Sequence, residues 1–309
     1  MREVRTRAPA KVNLHLSVGP VREDGYHPLV TVFQAVDLYD TVVARPRTDG
    51  EFTLEIETAP TISVSPEAIP RDGTNLVMRA ARLVAEHAGI DDGIDLHLIK
   101  RIPVAGGMAG GSADAAAALV ACAEAWDVGA TRSTLDGLAA QLGADVPFAL
   151  HGATALGLGR GDKLSPVMTH GEFHWVFATQ SAGLSTPAVY GQFDRDVASG
   201  ERLAVEPSPN ADVMAALMAG DAHALGEALT NDLQDSALTL APHLRATMDA
   251  AREADAVGVI ISGSGPTVAA LARSRQHALA IAAHITASDT ADAVLTASGP
   301  APGAVVMGS

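Results

Sequence analysis

The chain has 309 residues, of which 48% are hydrophobic and 18% charged, and its formal net charge is −15. This acidity argues against a nucleic-acid-binding surface, so we expect no nucleic-acid partner, and an anionic substrate would need a locally positive pocket. The length predicts two lobes. The sequence has no uncharged apolar run of about 18 residues and no apolar signal segment, so we expect a cytoplasmic protein without membrane association.

The first predicted element is a strand over residues 10–16, in which apolar and polar side chains alternate. The alternation divides six residues between two faces, with Val12, Leu14 and Leu16 on one and Lys11, Asn13 and His15 on the other. A lysine in such a strand is usually solvent-facing or at a sheet edge, and the residues alone leave that interpretation of Lys11 open. The following turn, residues 22–28, carries Tyr26 and His27, although a histidine before a proline is also an ordinary turn residue.

Further strands are predicted over residues 30–36, 41–43 and 52–56. Residues 58–73 are rich in proline and are predicted to be irregular. A helix is predicted to begin at Asn75 and to run to about His87, because Gly89 is a typical helix-terminating residue.

A glycine-rich stretch, residues 103–114, separates a predicted strand at residues 94–99 from an alanine-rich helix at residues 115–126. Its glycines, which let backbone N–H groups approach a ligand, are Gly106, Gly107, Gly110 and Gly111. The helix N-terminus behind them adds unpaired N–H donors and the positive end of a helix dipole. The stretch is therefore predicted to bind phosphate, with a flexible glycine turn as the plain alternative. It matches neither the Walker A motif nor the G-x-G-x-x-G motif.

A short helix is predicted over residues 131–142 and ends at Gly143. Asp145 follows, between this helix end and the proline turn at Pro147. Aspartate is common as a helix cap, and the local sequence leaves that interpretation of Asp145 open.

The chain then continues as a glycine-containing strand over residues 152–159 and a simple turn at residues 160–162. Composition changes at about residues 160–170, which predicts a lobe boundary there. We divide the chain into an N-terminal lobe, residues 1–163, and a C-terminal lobe, residues 164–309.

In the second lobe a helix is predicted to begin with Thr186 as its N-cap and Pro187 in its first turn. The other predicted elements are a strand at 174–178, helices at 211–219, 221–235 and 242–253, a hairpin of strands at 257–261 and 268–271, a helix at 274–286 and a strand at 293–297. The tail from Gly299 is predicted to be loose.

Four motifs, in their order and spacing, resemble those of the GHMP kinase superfamily of small-molecule kinases. They are Pro-Ala-Lys-Val-Asn-Leu at residues 9–14, the glycine-rich stretch at 103–114, Gly-Ala-Asp-Val-Pro at 143–147 and Ile-Ser-Gly-Ser-Gly-Pro-Thr at 261–267. Each motif alone is weak, whereas the ordered set is specific and covers nearly the whole chain. Three further segments resemble one group of the superfamily more specifically, namely the members that phosphorylate an alcohol carrying cytidine diphosphate. These segments are residues 25–27, the strand around Gln34 and residues 185–187.

The resemblance implies an α+β fold with a ribosomal-protein-S5-like N-terminal lobe, a ferredoxin-like C-terminal lobe and the active site between them. It implies that ATP and Mg²⁺ serve to phosphorylate the tertiary 2-hydroxyl of a small-molecule substrate carrying a cytidine diphosphate group. In the family's pattern Lys11 and Asp145 are catalytic: the carboxylate accepts the hydroxyl proton, while the ammonium orients it and stabilises developing charge. We further expect a monomer or a weak homodimer.

The remaining site residues are also implied by the resemblance. Those expected at the nucleotide are Asn75, Lys100, Pro103, Gly106, Gly107, Gly110, Gly111 and Ser112. Those expected at the substrate are Asn13, Tyr26, His27, Asp145, Thr186 and Tyr190. The two tyrosines would surround the cytosine and His27 would read its edge, although Tyr190 is also compatible with an ordinary core residue. The turn at residues 263–265 is expected to close against the phosphate loop, and the metal ligands stay unassigned.

Two positions depart from the family's pattern, because Ala109 stands where glycine is frequent and Ala113 where serine is frequent. The first adds a methyl group to the loop, and the second removes a hydroxyl, which favours Ser112 as the oxygen ligand of phosphate or Mg²⁺. Two other functions stay open: a superfamily kinase of the mevalonate or homoserine type, and a catalytically silent nucleotide-binding protein on the same fold. The aromatic residues favour a substrate with a base, and the intact Lys11 and Asp145 favour catalysis.

Overall fold

The computed structural model describes residues 2–62, 64–104, 106–203 and 205–308, so Ala105 of the glycine-rich stretch lies outside the described residues. The strands are β1 (Val4–Val18), β2 (Leu29–Pro46), β3 (Phe52–Thr58), β4 (Ile94–Lys100), β5 (Thr154–Gly159), β6 (Lys163–Pro166), β7 (Phe173–Thr179), β8 (Thr230–Asn231), β9 (Gly258–Ile261), β10 (Val268–Ala272), β11 (Ala293–Gly299) and β12 (Val305–Val306). The helices are α1 (Leu76–Ala88), α2 (Gly110–Ala125), α3 (Arg132–Leu142), α4 (Val146–His151), α5 (Thr186–Ala198), α6 (Ala211–Ala219), α7 (Ala222–Ala228), α8 (Gln234–Leu240), α9 (Leu244–Glu253) and α10 (Arg275–Ala287), with a 3-10 turn at Pro66–Ala68.

The first sheet, counted over the described residues, has eight strands. Its main path is β12–β1–β2–β4–β3, with β5 and β6 attached to β2 and β8 attached to β1. Helix α2 packs against β1, β2 and α1. It is buried along nearly its whole length, because residues 113–123 are small or aliphatic apart from Asp114. Small side chains let a helix backbone lie close to a sheet, so the sequence of α2 sets the thickness of this lobe.

The second sheet has the order β11–β7–β10–β9, and its neighbouring strands are all antiparallel. In chain order this is the β-α-β-β-α-β arrangement of a ferredoxin-like lobe, elaborated with extra helices between β7 and β9. The expected C-terminal fold is therefore confirmed. Strand β6 still belongs to the first sheet, and the chain enters the second sheet at Phe173; the division at residues 163/164 stays a prediction. No helix in the described ranges is long and apolar enough to cross a membrane.

The predicted alternation of β1 is wrong beyond Asn13. The pairing register with β2 shifts between Asn13 and His15, as it does where a strand carries an extra, bulged residue. As a result Leu14 and Leu16 pack in different hydrophobic clusters. Leu14 joins the cluster that fills most of the first lobe, whereas Leu16 packs with residues of the second lobe and reaches the cleft. The side chain of His15 turns away and hydrogen-bonds to Thr230 at 2.7 Å.

Other differences from the predicted elements have tertiary causes. Residues 30–36 and 41–43 form one long strand, β2, because both parts pair with β1. The helix predicted at 221–235 is interrupted by β8, which pairs in parallel with β1. Ser185, not Thr186, is the N-cap residue of α5, and its side chain makes no capping hydrogen bond.

The prediction of a loose tail after Gly299 is wrong. The chain crosses back to the first lobe, where the N–H of Ala301 donates to the carbonyl oxygen of Ala35 at 2.9 Å. The carbonyl oxygen of Ala301 accepts from the N–H of Ala153 at 2.7 Å, and β12 then pairs with β1. The tail therefore ties the end of the second lobe into the first sheet.

Glycine substitutions in this tail test its packing. A Cβ on Gly303 would lie 2.2 Å from the carbonyl oxygen of Leu150, so we expect Gly303→Ala to lower the free energy of unfolding by about 1–3 kcal/mol. The matched control is Gly308→Ala, because a Cβ on Gly308 has no atom within 4 Å. Urea unfolding of both variants measures the difference. Small and equal losses in the free energy of unfolding of the two variants would contradict the close packing of this tail.

Candidate active site

A cleft of about 550 Å³ opens where the two lobes meet. The first lobe contributes β1, β2, the glycine loop and Asp145 to its walls, and the second lobe contributes the start of α5 and the turn at residues 263–265. This is the position predicted for the active site.

The glycine loop packs directly against the turn after β9. The hydroxyl of Ser262 donates to the carbonyl oxygen of Gly107 at 3.1 Å. A Cβ on Gly107 would lie 2.2 Å from the carbonyl oxygen of Ser262, and its φ of +73° also favours glycine. A Cβ on Gly106 would lie 2.9 Å from the hydroxyl oxygen of Thr267. The two glycine turns therefore close against each other, as predicted.

Helix α2 begins at Gly110, directly behind the loop. Its N-cap residue, Ala109, has the left-handed conformation (φ 57°), and its methyl side chain makes no capping hydrogen bond. The first N–H groups of the helix are therefore left for a ligand, which fits a phosphate site. Gly111 lines the cleft and Ser112 is half-buried in the first turn, whereas Ala113 is buried in the core. A serine hydroxyl at position 113 would lie in the core.

Beneath the loop lies a buried cluster of three charged side chains. The ammonium of Lys100 donates to Asp40 at 2.5 Å and to Asp114 at 2.7 Å. Asp40 also accepts from the N–H of Ile102 at 2.8 Å. A Cβ on Gly110 would lie 3.2 Å from the nitrogen of Lys100, so this ammonium supports the helix start from below. Lys100 lies under the loop and not on the cleft wall, in contrast to the nucleotide contact predicted for it.

The charges of this cluster fix its protonation. Burial alone would lower the pKa of Lys100, but Asp114 and Asp40 outweigh it and raise that pKa above its ordinary value. Burial raises the pKa of Asp114 well above its ordinary value; Lys100 opposes this shift and Asp40 adds to it. One carboxyl oxygen of Asp114 is also buried without a hydrogen-bond partner. The lysine is therefore charged, and Asp114 takes up a proton at a higher pH than an ordinary aspartate does.

Lys11 is held at the cleft by both its strand and the loop. Its backbone N–H donates to the carbonyl oxygen of Met108 at 3.2 Å, and its ammonium donates to the side-chain oxygen of Asn13. Asn13 in turn donates to the hydroxyl of Thr31 at 2.9 Å. Lys11 is only 5% exposed, so the interpretation as a solvent-facing lysine is wrong.

Asp145 immediately precedes α4, but its side chain makes no capping hydrogen bond. Asp145 therefore occupies the N-cap position that the local sequence predicted, but its side chain does not cap the helix and lines the cleft together with Lys11. Burial lowers the pKa of Lys11, and the negative charge of Asp145 opposes that shift. Burial also raises the pKa of the Tyr190 phenol, and Asp145 adds to this increase. The carboxylate thus acts on both neighbours across the cleft.

A second cavity, of about 460 Å³, adjoins the cleft. Its walls include Tyr26, His27, Leu29, Arg160, Thr186, Pro187, Tyr190 and Asp194. Tyr26 is 50% exposed, so much of its ring is open, and the guanidinium of Arg160 lies 3.9 Å from the ring centre. Tyr190 borders both cavities, and its ring centre lies 5.2 Å from that of His27. Tyr190 is therefore a wall of the site as well as a packed residue. We call this cavity the aromatic pocket.

The imidazole of His27 is held on both sides. Its Nδ1 lies 2.8 Å from the carbonyl oxygen of Gly19, and because a carbonyl only accepts, Nδ1 donates. Its Nε2 faces the carboxylate of Asp194 at 3.3 Å. Both ring nitrogens therefore face protein atoms, and the reading of a base edge by His27 stays a prediction.

The structure places the other predicted residues around the cleft rather than within it, with one exception. Asn75 caps α1, because its side-chain oxygen accepts from the N–H of Val77 at 2.8 Å. Pro103 is buried against the loop. Thr186 is the exception: it borders both cavities, and its hydroxyl lies 2.9 Å from that of Ser264, which links α5 to the glycine turn.

Sequence reasoning missed three charged residues. Arg160 was interpreted as part of a simple turn, yet it borders both cavities. The sequence signal that could have identified Arg160 is a positive charge between two glycines in a chain of net charge −15. Asp40 and Asp114 received no role, because their partner, Lys100, is 60 and 14 residues away in sequence.

Comparison with known proteins defines the family. Residues 75–153 match the model of the GHMP kinases N terminal domain, and residues 213–289 match the GHMP kinases C terminal model. The chain therefore belongs to the GHMP kinase family.

Named relatives give a narrower likeness. A Thermobifida fusca protein named 4-diphosphocytidyl-2-C-methyl-D-erythritol kinase is 52% identical over 98% of this chain and 98% of its own. A Streptomyces avermitilis protein of the same name is 48% identical over 98% of this chain and 99% of its own. A crystal structure of 4-(cytidine 5'-diphospho)-2C-methyl-D-erythritol kinase is 32% identical, with a TM-score of 0.76 over 95% of this chain and 98% of that chain. The L. major mevalonate kinase structure, at 18% identity and a TM-score of 0.76 over 96% of each chain, shares the fold.

The buried cluster makes a prediction about stability. Lys100→Met leaves two buried carboxyl groups without their cation, so we expect it to lower the free energy of unfolding by about 3–5 kcal/mol. Asp114→Asn is the matched variant, and because it keeps a polar partner for Lys100 we expect a loss of about 1 kcal/mol. Guanidinium chloride unfolding measures both. Similar losses in the two variants would contradict the central role of the ammonium.

Proposed function

We propose that the protein catalyses the ATP-dependent phosphorylation of the 2-hydroxyl of 4-diphosphocytidyl-2-C-methyl-D-erythritol. The products are the 2-phosphate and ADP, in non-mevalonate isoprenoid precursor biosynthesis. One observation carries the proposal: the cleft that holds the glycine loop, Lys11 and Asp145 is continuous with the aromatic pocket, through shared walls at Thr186 and Tyr190. The names of the relatives at about half identity support the same substrate.

The glycine loop and the start of α2 form the phosphate site. Gly106, Gly107 and Gly111 carry no side chain into the cleft, so a triphosphate can approach the backbone N–H groups. Phosphoryl transfer depends mainly on positioning and on charge neutralisation, which such a cradle supplies.

Mg²⁺ is the proposed partner of ATP. Within the described ranges no group of three or more His, Cys, Asp or Glu residues could hold a metal ion alone. This fits Mg²⁺, which is commonly held by one or two protein oxygens together with substrate phosphates. The hydroxyl of Ser112, in the first turn of α2, is the protein oxygen that would contact it. The bound ion would offset negative charge on the phosphates.

Asp145 and Lys11 act on the alcohol. The carboxylate of Asp145 is free of a capping bond and would accept the proton of the 2-hydroxyl as the hydroxyl attacks the γ-phosphorus. The ammonium of Lys11, fixed by Asn13, would orient that carboxylate and stabilise the charge on the transferred group. The backbone N–H of Lys11 also donates to the carbonyl oxygen of Met108 in the loop. This hydrogen bond fixes the position of Lys11 relative to the phosphate site.

The aromatic pocket suits the cytosine. The exposed part of the Tyr26 ring offers a stacking surface, and Tyr190 and His27 also line the pocket. Mevalonate and homoserine carry no base, so a kinase of either type would gain nothing from this pocket.

The experiment is an ADP-release assay with ATP and Mg²⁺ on cytidyl-methylerythritol, mevalonate and homoserine. We expect turnover on the cytidyl substrate alone. Asp145→Asn should bind ATP yet lose about 10²–10⁴-fold in kcat, because the proton acceptor is gone. Turnover on another alcohol would keep the phosphate site but exclude the proposed substrate. ATP binding without turnover on any of the three would identify a silent nucleotide-binding protein.

The pH dependence of kcat/KM for ATP tests Lys11. Its pKa is lowered from the ordinary 10.5, chiefly by burial. The charged form is the active one, so kcat/KM should fall as the pH rises through the lowered pKa, at a pH below 10.5. Lys11→Arg, which stays charged, should lose rate but also lose this alkaline fall. An unchanged alkaline fall in Lys11→Arg would assign it to another group.

A further inference from the structure

Arg160 lies at the junction of the cleft and the aromatic pocket. Among the described residues, five border both cavities, namely Leu29, Arg160, Thr186, Pro187 and Tyr190. Arg160 is the one charged residue among them. A molecule that occupies both cavities at once would therefore lie along a shared wall that includes Arg160.

The position of Arg160 is set by its backbone and by one ring. It follows β5 in a tight turn, in which Gly159 and Gly161 have φ values of +75° and +90°. Its N–H donates to the carboxylate of Asp162 at 3.1 Å, which closes the turn. Its guanidinium then lies over Tyr26, with 3.9 Å between the guanidinium carbon and the ring centre. A cation on a ring face keeps its N–H edges available to other partners.

The guanidinium of Arg160 forms no ion pair with any carboxylate of the described residues. Among the ion pairs of the described residues, Arg47 and Arg202 each contact two aspartates, but none involves Arg160. Asp194, on the same pocket wall, faces His27. In a chain of net charge −15, an unpaired guanidinium between two cavities is a local positive site for an anion.

We propose that Arg160 binds the diphosphate of the cytidine-bearing substrate and thereby fixes the distance between the stacked base and the reacting hydroxyl. This inference rests on the proposed function. The substrate has its base at one end and its alcohol at the other, so its diphosphate lies between the two sites. The planar guanidinium can donate two parallel hydrogen bonds to phosphate oxygens, which a single ammonium cannot do with the same geometry.

The test compares the binding of CDP and of cytidine, by titration calorimetry or ligand-detected NMR, to the wild-type chain and to Arg160→Gln. We expect Arg160→Gln to weaken CDP binding about 10- to 100-fold and to leave cytidine binding within about twofold. Arg160→Lys, which keeps the charge but not the fork, should lose less. Lys163→Gln is the matched control, because it removes a positive charge from an exposed position just after the same turn that borders neither cavity.

The outcomes separate the possible roles. Equal weakening of CDP and cytidine by Arg160→Gln would overturn the proposal, because Arg160 would then only hold Tyr26. An equal loss of CDP binding in Lys163→Gln would also overturn it, since the effect would be one of overall charge. In the kinetic assay Arg160→Gln should raise the KM for the cytidyl substrate and leave the KM for ATP unchanged. Normal CDP binding by Arg160→Gln would reject this inference alone, whereas a wild-type chain that binds neither ligand would reject the proposed function with it.

Discussion

The buried ammonium of Lys100 is the constraint on which the site depends. Taking a charge out of water is costly, and the cost is offset only if the charge is fully paired. Its partners, Asp40 and Asp114, come from β2 and α2, while Lys100 itself ends β4. Three elements therefore meet at one point under Gly110, where the phosphate loop becomes a helix. A loop rich in glycine has few side chains that could fix its geometry, and this cluster supports the loop from below.

The same loop is also held from its sides. Met108 accepts the backbone N–H of Lys11, and Gly107 accepts the hydroxyl of Ser262 from the other lobe. The phosphate cradle, the cation and the glycine turn of the second lobe therefore form one connected unit. Asp145 approaches from a different element, at the start of α4, so its position relative to Lys11 depends on how the helices pack in the first lobe. In the proposed reaction, proton transfer to Asp145 would be the step most sensitive to that packing.

Local signals predicted much of the fold, and long-range pairing accounts for the rest. Asn75 and Gly89 mark the ends of α1 because capping is a local interaction. Leu16 does not lie on the face predicted for it, because the pairing register of β1 shifts against β2. The residue pattern of β1 alone does not show this register shift. In the site, the ordered motifs predicted that Lys11 and Asp145 belong to the active site, because each residue lies within a short sequence motif. The family resemblance predicted Lys100 at the nucleotide, and its pairing with Asp40 and Asp114 could not be predicted because those partners are distant in sequence.

Specificity must come from the residues outside the phosphate-transfer unit. The glycine loop, Lys11 and Asp145 would serve any alcohol held at the right distance, and fold likeness alone does not separate one small-molecule kinase from another. The aromatic pocket lies apart from Lys11 and Asp145, which line only the cleft. In the proposed reaction, contacts of the substrate with Tyr26 and Tyr190 would therefore affect the reacting hydroxyl only through the length of the substrate. Binding of the base in the aromatic pocket can orient the hydroxyl only if the diphosphate that connects them is also fixed. A mobile diphosphate would leave the hydroxyl free to adopt many orientations. We therefore expect Arg160, the charged residue that borders both cavities, to be as important to substrate selectivity as the stacking surface of Tyr26.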